Sequence, residues 1–446
     1  MTIWTPRLPK SGGAPIYQRI VEQLESDMGS GLLRDGSRLP TQRDLARRLG
    51  VTVVTVTRAY REAADRGLIE STVGRGSYVR AGRRDAASPA KEIDLGTNTI
   101  SAGDLKISRE LATRLEELLT PTYHIGSGSE RHRAAGAAWI APNRPDADAS
   151  RIVVTSGGQQ AILITLAALT KPGDTLMVEE VTYHGALAAA NLLHLKLEPV
   201  TMDRFGILPE AFDAACRKKT ARVLYVSPTV QNPTGTTLPD KRRRDVAAIA
   251  ARHGVTIVED DVYGFLATKP HLAITAHNRD GVFLTGLGKS LSPALRVGYV
   301  LAPEALLSRI QTALRATTLF TSPLGAEIAA SAIEDGTAAR VVAAKRHAIA
   351  TRYGLASRIL GKIGEPSPHL WLKMPLRWPA EVFAAEARRR GVRVALASSF
   401  AARTPAPQAI RISLGAPDTT AELEHGLQLI AALLERQPET EGAAIV

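Results

Sequence analysis

The sequence predicts a multidomain chain: a small N-terminal winged helix-turn-helix, then a larger α/β unit with a mostly parallel sheet and a smaller C-terminal α/β lobe. Three observations predict it. The chain has 446 residues, 44% of them hydrophobic, which is too long for one ordinary domain and apolar enough for several cores. Its charge is uneven, with 15 Lys/Arg against 8 Asp/Glu through Arg84, a net of +7 out of +12. From Ile93 onward apolar β runs alternate with helical stretches, the pattern of a parallel sheet buried on both faces. The expected division is a head over 1–80, a linker over 81–92 and a body over 93–446, with the small lobe from about 367.

In the head, Pro15 introduces a helix that repeats apolar residues at Ile16, Ile20, Val21 and Leu24 and stops near Gly29 and Gly31. Thr41 is placed to cap TQRDLARRL, with Asp44 at its third helical position, and Gly50 makes the turn. Thr52 opens the next helix, where Val53, Val56, Tyr60 and Ala63 face the core and Gly67 closes it. Leu68 to Ser71 and Ser77 to Arg80 pair as strands around VGRG. A small, locally basic unit of this kind suits an anionic partner such as DNA.

This order resembles the GntR-type DNA-binding domain, carried by Leu39, Pro40, Leu45-Ala46, Gly50-Val51-Thr52 and the wing Gly74-Arg75-Gly76. The resemblance implies that the helix after Thr52 docks in a major groove of operator DNA, with Thr52, Thr55, Thr57 and Arg58 facing the bases. Arg38, Arg43 and Arg47 would meet phosphates, Arg75 at the wing tip would reach the minor groove, and Thr41 and Gly76 complete the contact set. Several relatives carry an arginine just after the helix-capping residue, where this chain has Val53.

The segment Ala81 to Glu92 is small, charged and aperiodic, and reads as a linker. Beyond it, RIVVTSGG leads into QQAILITLAALT, followed by DTLMVEEVTYHG, ARVLYVSP, RRRDVAAIAARHG, VTIVEDDVYG and GVFLTGLGK. Ligands of such sheets sit beyond the carboxyl ends of the strands. From about Ser367, SPHLWLKMP, AEVFAAEARRRGVRVA and AIRISLG form the smaller lobe.

The chemistry-bearing residues fall at those strand ends. Ser156, Gly157 and Gly158 stand between a strand and a helix opening at Gln159, where free N–H groups suit a phosphate dianion. Tyr183 offers a ring to stack on a planar ligand, and Asn232, turned by Pro233, offers an amide. Asp260 and Tyr263 follow three apart. Lys289 lies among glycines and seven residues before Arg296. A lysine that condenses with the aldehyde of pyridoxal phosphate (PLP), an arginine on its phosphate and a carboxylate on its ring nitrogen would together make a PLP site. No metal site is expected.

This succession resembles the fold-type I, class I/II aminotransferases over about Ile93 to Leu433. The resemblance implies Lys289 as the Schiff-base lysine, Asp260 as partner of the pyridine nitrogen, Asn232 and Tyr263 as partners of the phenolic oxygen, Arg296 with Gly157 and Gly158 as the phosphate cradle, and Gln159 as a further cofactor contact. Arg411 matches the arginine that clamps an α-carboxylate, and Tyr123 the tyrosine that reaches a neighbouring subunit's cofactor, so a homodimer is implied. That family commonly has hydroxyl residues three before and one before the lysine. Here these are Gly286 and Gly288, which leaves Thr285, Ser290 or Ser292 to replace the lost phosphate contacts.

Joined in one chain, the two units resemble the MocR subfamily of GntR regulators. This implies a transcriptional regulator whose PLP-bearing body senses an amino compound or PLP itself, with an aminotransferase acting on an α-amino acid as the alternative. The single cysteine, Cys216, excludes an internal disulfide framework and suits a reducing cytoplasm. No run of 18 apolar residues occurs, so no membrane partner and a cytoplasmic location are expected.

Overall fold

The computed structural model describes residues 4–6, 15–29, 32–33, 36–65, 68–72, 76–79, 92–100, 102–103, 105–106, 108–119, 123, 126–267, 271–361 and 364–436. They form two units, Met1–Lys91 and Glu92–Val446. The linker, Gly67 and the wing tip with Arg75 fall outside the described residues.

The first unit packs helices Ile16–Gly29, Gln42–Leu49 and Val53–Asp65 beside the antiparallel pair Ile69–Thr72 and Gly76–Val79. Thr41 Oγ1 accepts from Asp44 N, which satisfies one of the N–H groups orphaned at the start of the second helix. Ile20, Val21, Leu24, Leu45, Val56 and Tyr60 meet in one core, and the Tyr60 hydroxyl donates to Pro40 O at 2.8 Å. Trp4 joins this core and donates Nε1–H to Asp27 at 2.7 Å. Val53 departs from expectation. It is 42% exposed because it is the first residue of its helix, one turn before Val56, where the packed face begins. Gly76 is a strand residue paired with Thr72, so the second strand starts one residue earlier than its apolar pattern suggests.

The second unit is built on a seven-stranded sheet. Its order is Ile152–Thr155, Gly298–Leu301, Val282–Gly286, Thr256–Asp260, Ala221–Val226, Thr175–Glu179 and Lys196–Val200. All neighbouring pairs are parallel except the two made by Gly298–Leu301. That strand returns directly after the Lys289 turn, so the chain re-enters the sheet in the opposite sense beside Val282–Gly286. The strands are buried along nearly their whole length, as their continuous Val/Ile/Leu runs require.

The small lobe holds the sheet His369–Lys373, Ala409–Ser413, Ala395–Leu396 and the helices Ala380–Arg389 and Thr420–Glu435. It also takes in the first strand of the unit: Ile93–Asp94 pairs in parallel with Val392–Arg393, and Ile93 and Leu95 lie in the small-lobe core with Leu355 and Phe383. The chain thus enters through the small lobe before it crosses to the large one. Helix Thr337–Leu360 crosses back, with Val341 in the large-lobe core and Leu355 and Ala356 in that of the small lobe.

Candidate active site

A cavity of about 460 Å³ opens at the carboxyl ends of the central strands, lined from both lobes of the second unit. Gly157, Gly158, Gln159, Tyr183, Asn232, Asp260, Tyr263, Lys289, Arg296 and Arg411 all border it. The Gly157 turn has φ +89°, and a Cβ there would stand 3.0 Å from the Arg296 guanidinium, so the turn is both left-handed and in close contact with the arginine. Gly286 answers a second crowding: a Cβ on it would lie 3.0 Å from Gly158 N. The strand that carries Lys289 therefore meets the start of helix Gly158–Leu169 backbone to backbone, and a hydroxyl-bearing side chain has no room there. None of the three expected substitutes borders this cavity. The Thr285 hydroxyl donates to Asp261 O, the Ser292 hydroxyl caps the turn at Ala294, and Ser290 faces a different cavity. Anion contacts on this side are left to Arg296 and the turn's N–H groups.

Asp260 ends its strand fully enclosed. Oδ2 accepts from the Tyr225 hydroxyl at 2.6 Å, while Oδ1 has no partner. Burial lifts its pKa to about 6 against that hydrogen bond. The Tyr263 hydroxyl is likewise buried and partnerless, and burial raises its pKa. Asn232 follows Gln231 in a turn with a cis bond to Pro233, and its Oδ1 accepts from Arg411 Nη1 at 2.8 Å, which leaves the amide N–H groups to donate. Arg411 is 3% exposed, lies 4.7 Å over the Phe400 ring and keeps Nε without a partner.

Lys289 sits in the short helix Leu287–Ser290 and donates Nζ–H to Asn98 O. Burial, followed by the charges of Arg411, Lys345 and Arg296, lowers its amine to about 8. A neutral fraction is therefore present near neutral pH, as an amine that must attack an aldehyde or take up a proton requires. Lys345, only 2% exposed on helix Thr337–Leu360, donates to Lys289 O and Leu291 O, each at 2.9 Å. It clamps the turn that presents Lys289. Asn98 in turn bonds His369, whose other ring nitrogen meets Gln231 O at 2.9 Å. Burial and Arg411 hold His369 down to about 3, so the ring is neutral, donates to Gln231 and accepts from the Asn98 amide. Asn98, Tyr225, Lys345 and His369 all escape a reading of local motifs, since each meets its partner through contacts between distant segments.

Asp260 Oδ1, the Tyr263 hydroxyl and Arg411 Nε are buried polar atoms that face one cavity without partners. A pyridine N–H, a phenolic oxygen and a carboxylate are the groups that would satisfy them, and the residues fit PLP. Tyr123 does not join the cavity. It is 70% exposed and packs edge-on to Phe320 at 6.1 Å.

On the first unit, Arg38, Arg43 and Arg47 are exposed, with Arg47 3.5 Å from Asp44. Arg38 lies against Gly76 on the wing strand. The Arg58 guanidinium stacks 4.0 Å over the Tyr17 ring, and the Thr52 and Thr55 hydroxyls bond one another at 2.9 Å. Thr57 is half-buried. Its hydroxyl donates to Gln42 Oε1 at 2.8 Å, because the residue beside the buried Val56 lies on the flank that meets the preceding helix.

Residues 90–430 match the family model for aminotransferase class I and II, and 16–79 match that for bacterial regulatory proteins of the gntR family. The chain belongs to the aminotransferase class I and II family, joined to a GntR head in the manner of the MocR regulators. It is 30% identical to an uncharacterized HTH-type transcriptional regulator, YdeF of Bacillus subtilis (strain 168), over 97% of each chain. It is 26% identical to YjiR of Escherichia coli (strain K12), of the same description, over 90% of this chain and 95% of that one. Among solved structures it resembles Pyrococcus horikoshii kynurenine aminotransferase, with a TM-score of 0.70, 21% identity, and coverage of 79% of this chain and 95% of that one. PLP is the cofactor this fold takes. Among the described residues no helix is long and apolar enough to cross a membrane.

Proposed function

We propose that the chain is a PLP-dependent transcriptional regulator, a cytoplasmic homodimer whose head binds operator DNA and whose body receives an amino compound with a carboxylate group. The observation that carries it is the meeting of Lys289, Asp260 and Arg411 in one cavity of a chain that also bears a GntR head. PLP, when bound, supplies an aldehyde that condenses with amines and a ring that withdraws their electrons. Arg411 would hold the effector carboxylate through its paired N–H groups while Asn232 fixes the guanidinium plane. Asp260 would accept a ring N–H through Oδ1, and its carboxylate would then be stabilised in the charged form that burial disfavours. Arg296 and the Gly157 turn would hold the phosphate. The partly neutral Lys289 amine would accept and return protons above the ring. An effector can shift the DNA-binding equilibrium only by binding two arrangements of the dimer with different affinity.

The match of residues 90–430 to aminotransferase class I and II, with Lys289, Asp260 and Arg411 gathered in one cavity, supports a second reading in which the site turns over as an aminotransferase. One experiment separates the two. Purified protein loaded with PLP is titrated with a panel of amino acids and amines, and its absorbance, keto acid release and operator affinity are followed together. A regulator shows a visible band that shifts and stays shifted with one amine, while operator affinity changes in step. Repeated keto acid release without any effect on DNA would establish the second reading. Lys289→Ala should lose the Lys289-linked band while its effector-free DNA binding stays intact, and absence of any band in the parent protein would overturn both readings.

A further inference from the structure

A second cavity of about 360 Å³ lies behind the Lys289 turn, at the small end of the range for ligand pockets, roughly 300–1,000 Å³. It shares no lining residue with the cofactor cavity, yet it is built from the next residues along the same turns: Asp261 follows Asp260, and Ser290 follows Lys289. Local backbone geometry explains this. Asp261 follows the last residue of its strand, where successive side chains point to opposite faces, and Ser290 lies in the short helix Leu287–Ser290, where one residue turns the side chain by about 100° from Lys289.

Two of its buried polar atoms have no hydrogen-bond partner. Asp261 is 7% exposed, and its Oδ2 accepts from Asn143 Nδ2 at 2.6 Å while Oδ1 accepts from nothing. Ser290 is 1% exposed, and its hydroxyl has no partner. The remaining wall is mixed: Phe283, fully buried, and Trp139 and Phe265, half-buried, supply its aromatic part, and Asn143, Thr285 and Arg346 its polar part. Arg346 stands at the solvent-exposed rim with Nε–H donated to Phe265 O. Glu259, Arg243 and Thr229 lie behind the carboxylate; burial, then Glu259, raise Asp261 to about 7 against the Arg243 charge and the Asn143 and Thr229 side chains. A carboxylate oxygen and a hydroxyl left open beside the rings of Trp139, Phe265 and Phe283 call for a donor that carries positive charge and an apolar body.

We infer that this cavity is a second ligand site, distinct from the cofactor site, that binds a small ammonium-bearing molecule with an apolar or aromatic body, its N–H group on Asp261 Oδ1 and Ser290 Oγ. The site goes beyond the cofactor-based reading and does not depend on it.

The probe is N,N-dimethylphenethylamine, a tertiary amine that cannot condense with an aldehyde, titrated calorimetrically into the full-length, PLP-loaded protein at pH 8, where Asp261 is mostly ionised. Saturable binding of one equivalent per chain is expected, without displacement of the visible cofactor band. Asp261→Asn should weaken it by roughly ten-fold or more through loss of a charged acceptor. Ala339→Trp, at an exposed helix position on the cavity wall, should block it without disturbing the core, and keeps the test sound if the Asp261 variant folds poorly. Lys289→Ala should bind as the parent does. No saturable heat up to about 10 mM would overturn the site. So would unchanged binding in both cavity variants, or binding that fails in Lys289→Ala alone, which would place the probe in the cofactor cavity.

Discussion

The two units keep their polar side chains in opposite conditions. In the head the arginines expected to meet a phosphate backbone are exposed, and the threonines near them are bonded to one another or to the helix beside them. Among the described residues every buried side-chain polar atom without a partner lies in the body, at or beyond Asn98, and six of the eleven belong to residues that line its two cavities. A polyanion is met by charge spread over a surface, where geometry is loose and salt competes. A cofactor is met by donors and acceptors held out of water, which cost stability until they are occupied. The difference predicts that head variants respond to salt and body variants to pH and ligand.

The largest effect should come from the head. Arg43→Ala with Arg47→Ala removes two expected phosphate contacts, so the slope of log affinity against log salt should fall by about two, and affinity near 0.1 M salt by on the order of fifty-fold. Fluorescence anisotropy with an operator fragment at several salt concentrations measures both, and the PLP absorbance of the body should be unaltered. An unchanged slope would place the DNA on another face of the head.

Thr41→Ala tests the same unit through a helix cap. Removing the oxygen that accepts from Asp44 N should cost the head about 1 kcal/mol, or a fall of roughly 4–8 °C in its melting transition. Differential scanning calorimetry with and without PLP reports the two units apart, and only the head transition should move. A shift of the PLP-responsive transition would mean that the units melt together.

The same contrast governs what the sequence makes legible. The alternating pattern, the Thr41 cap and the succession of Gly157, Asn232, Asp260 and Lys289 are local, each readable within a few residues of a strand or helix end. Val53 misled because one turn of helix decides whether a residue faces the core, a neighbouring helix or solvent, and the position of the neighbour is tertiary information. Asn98, His369 and Tyr225 carry no local motif at all. Asn98 meets His369 across 271 residues of chain, and its carbonyl receives Lys289 across 191. Lys345 stands in AAKRHAIA, where the surrounding charges suggest a solvated helix face, yet only Lys345 of that Lys-Arg pair turns inward.

Lys345 sharpens the comparison most finely, because its charge works by position inside the body. Its Nζ holds the two carbonyls that flank Ser290, and its charge is one of three that depress the Lys289 amine, after Arg411. Removing it by Lys345→Met should raise the Lys289 midpoint by about half a unit, or roughly 0.7 kcal/mol, since a like charge disfavours the protonated form. The pH dependence of PLP capture by the apo-protein, followed as growth of the visible band, reads this midpoint directly, because only the neutral amine attacks. Lys345→Arg restores the charge with a different fork of donors and should return the midpoint toward that of the parent. If Met and Arg variants shift it equally, the clamp on the carbonyls governs the amine and the charge does not. If neither moves it while both melt lower, Lys345 serves the fold alone, and the depression of Lys289 belongs to burial and Arg411.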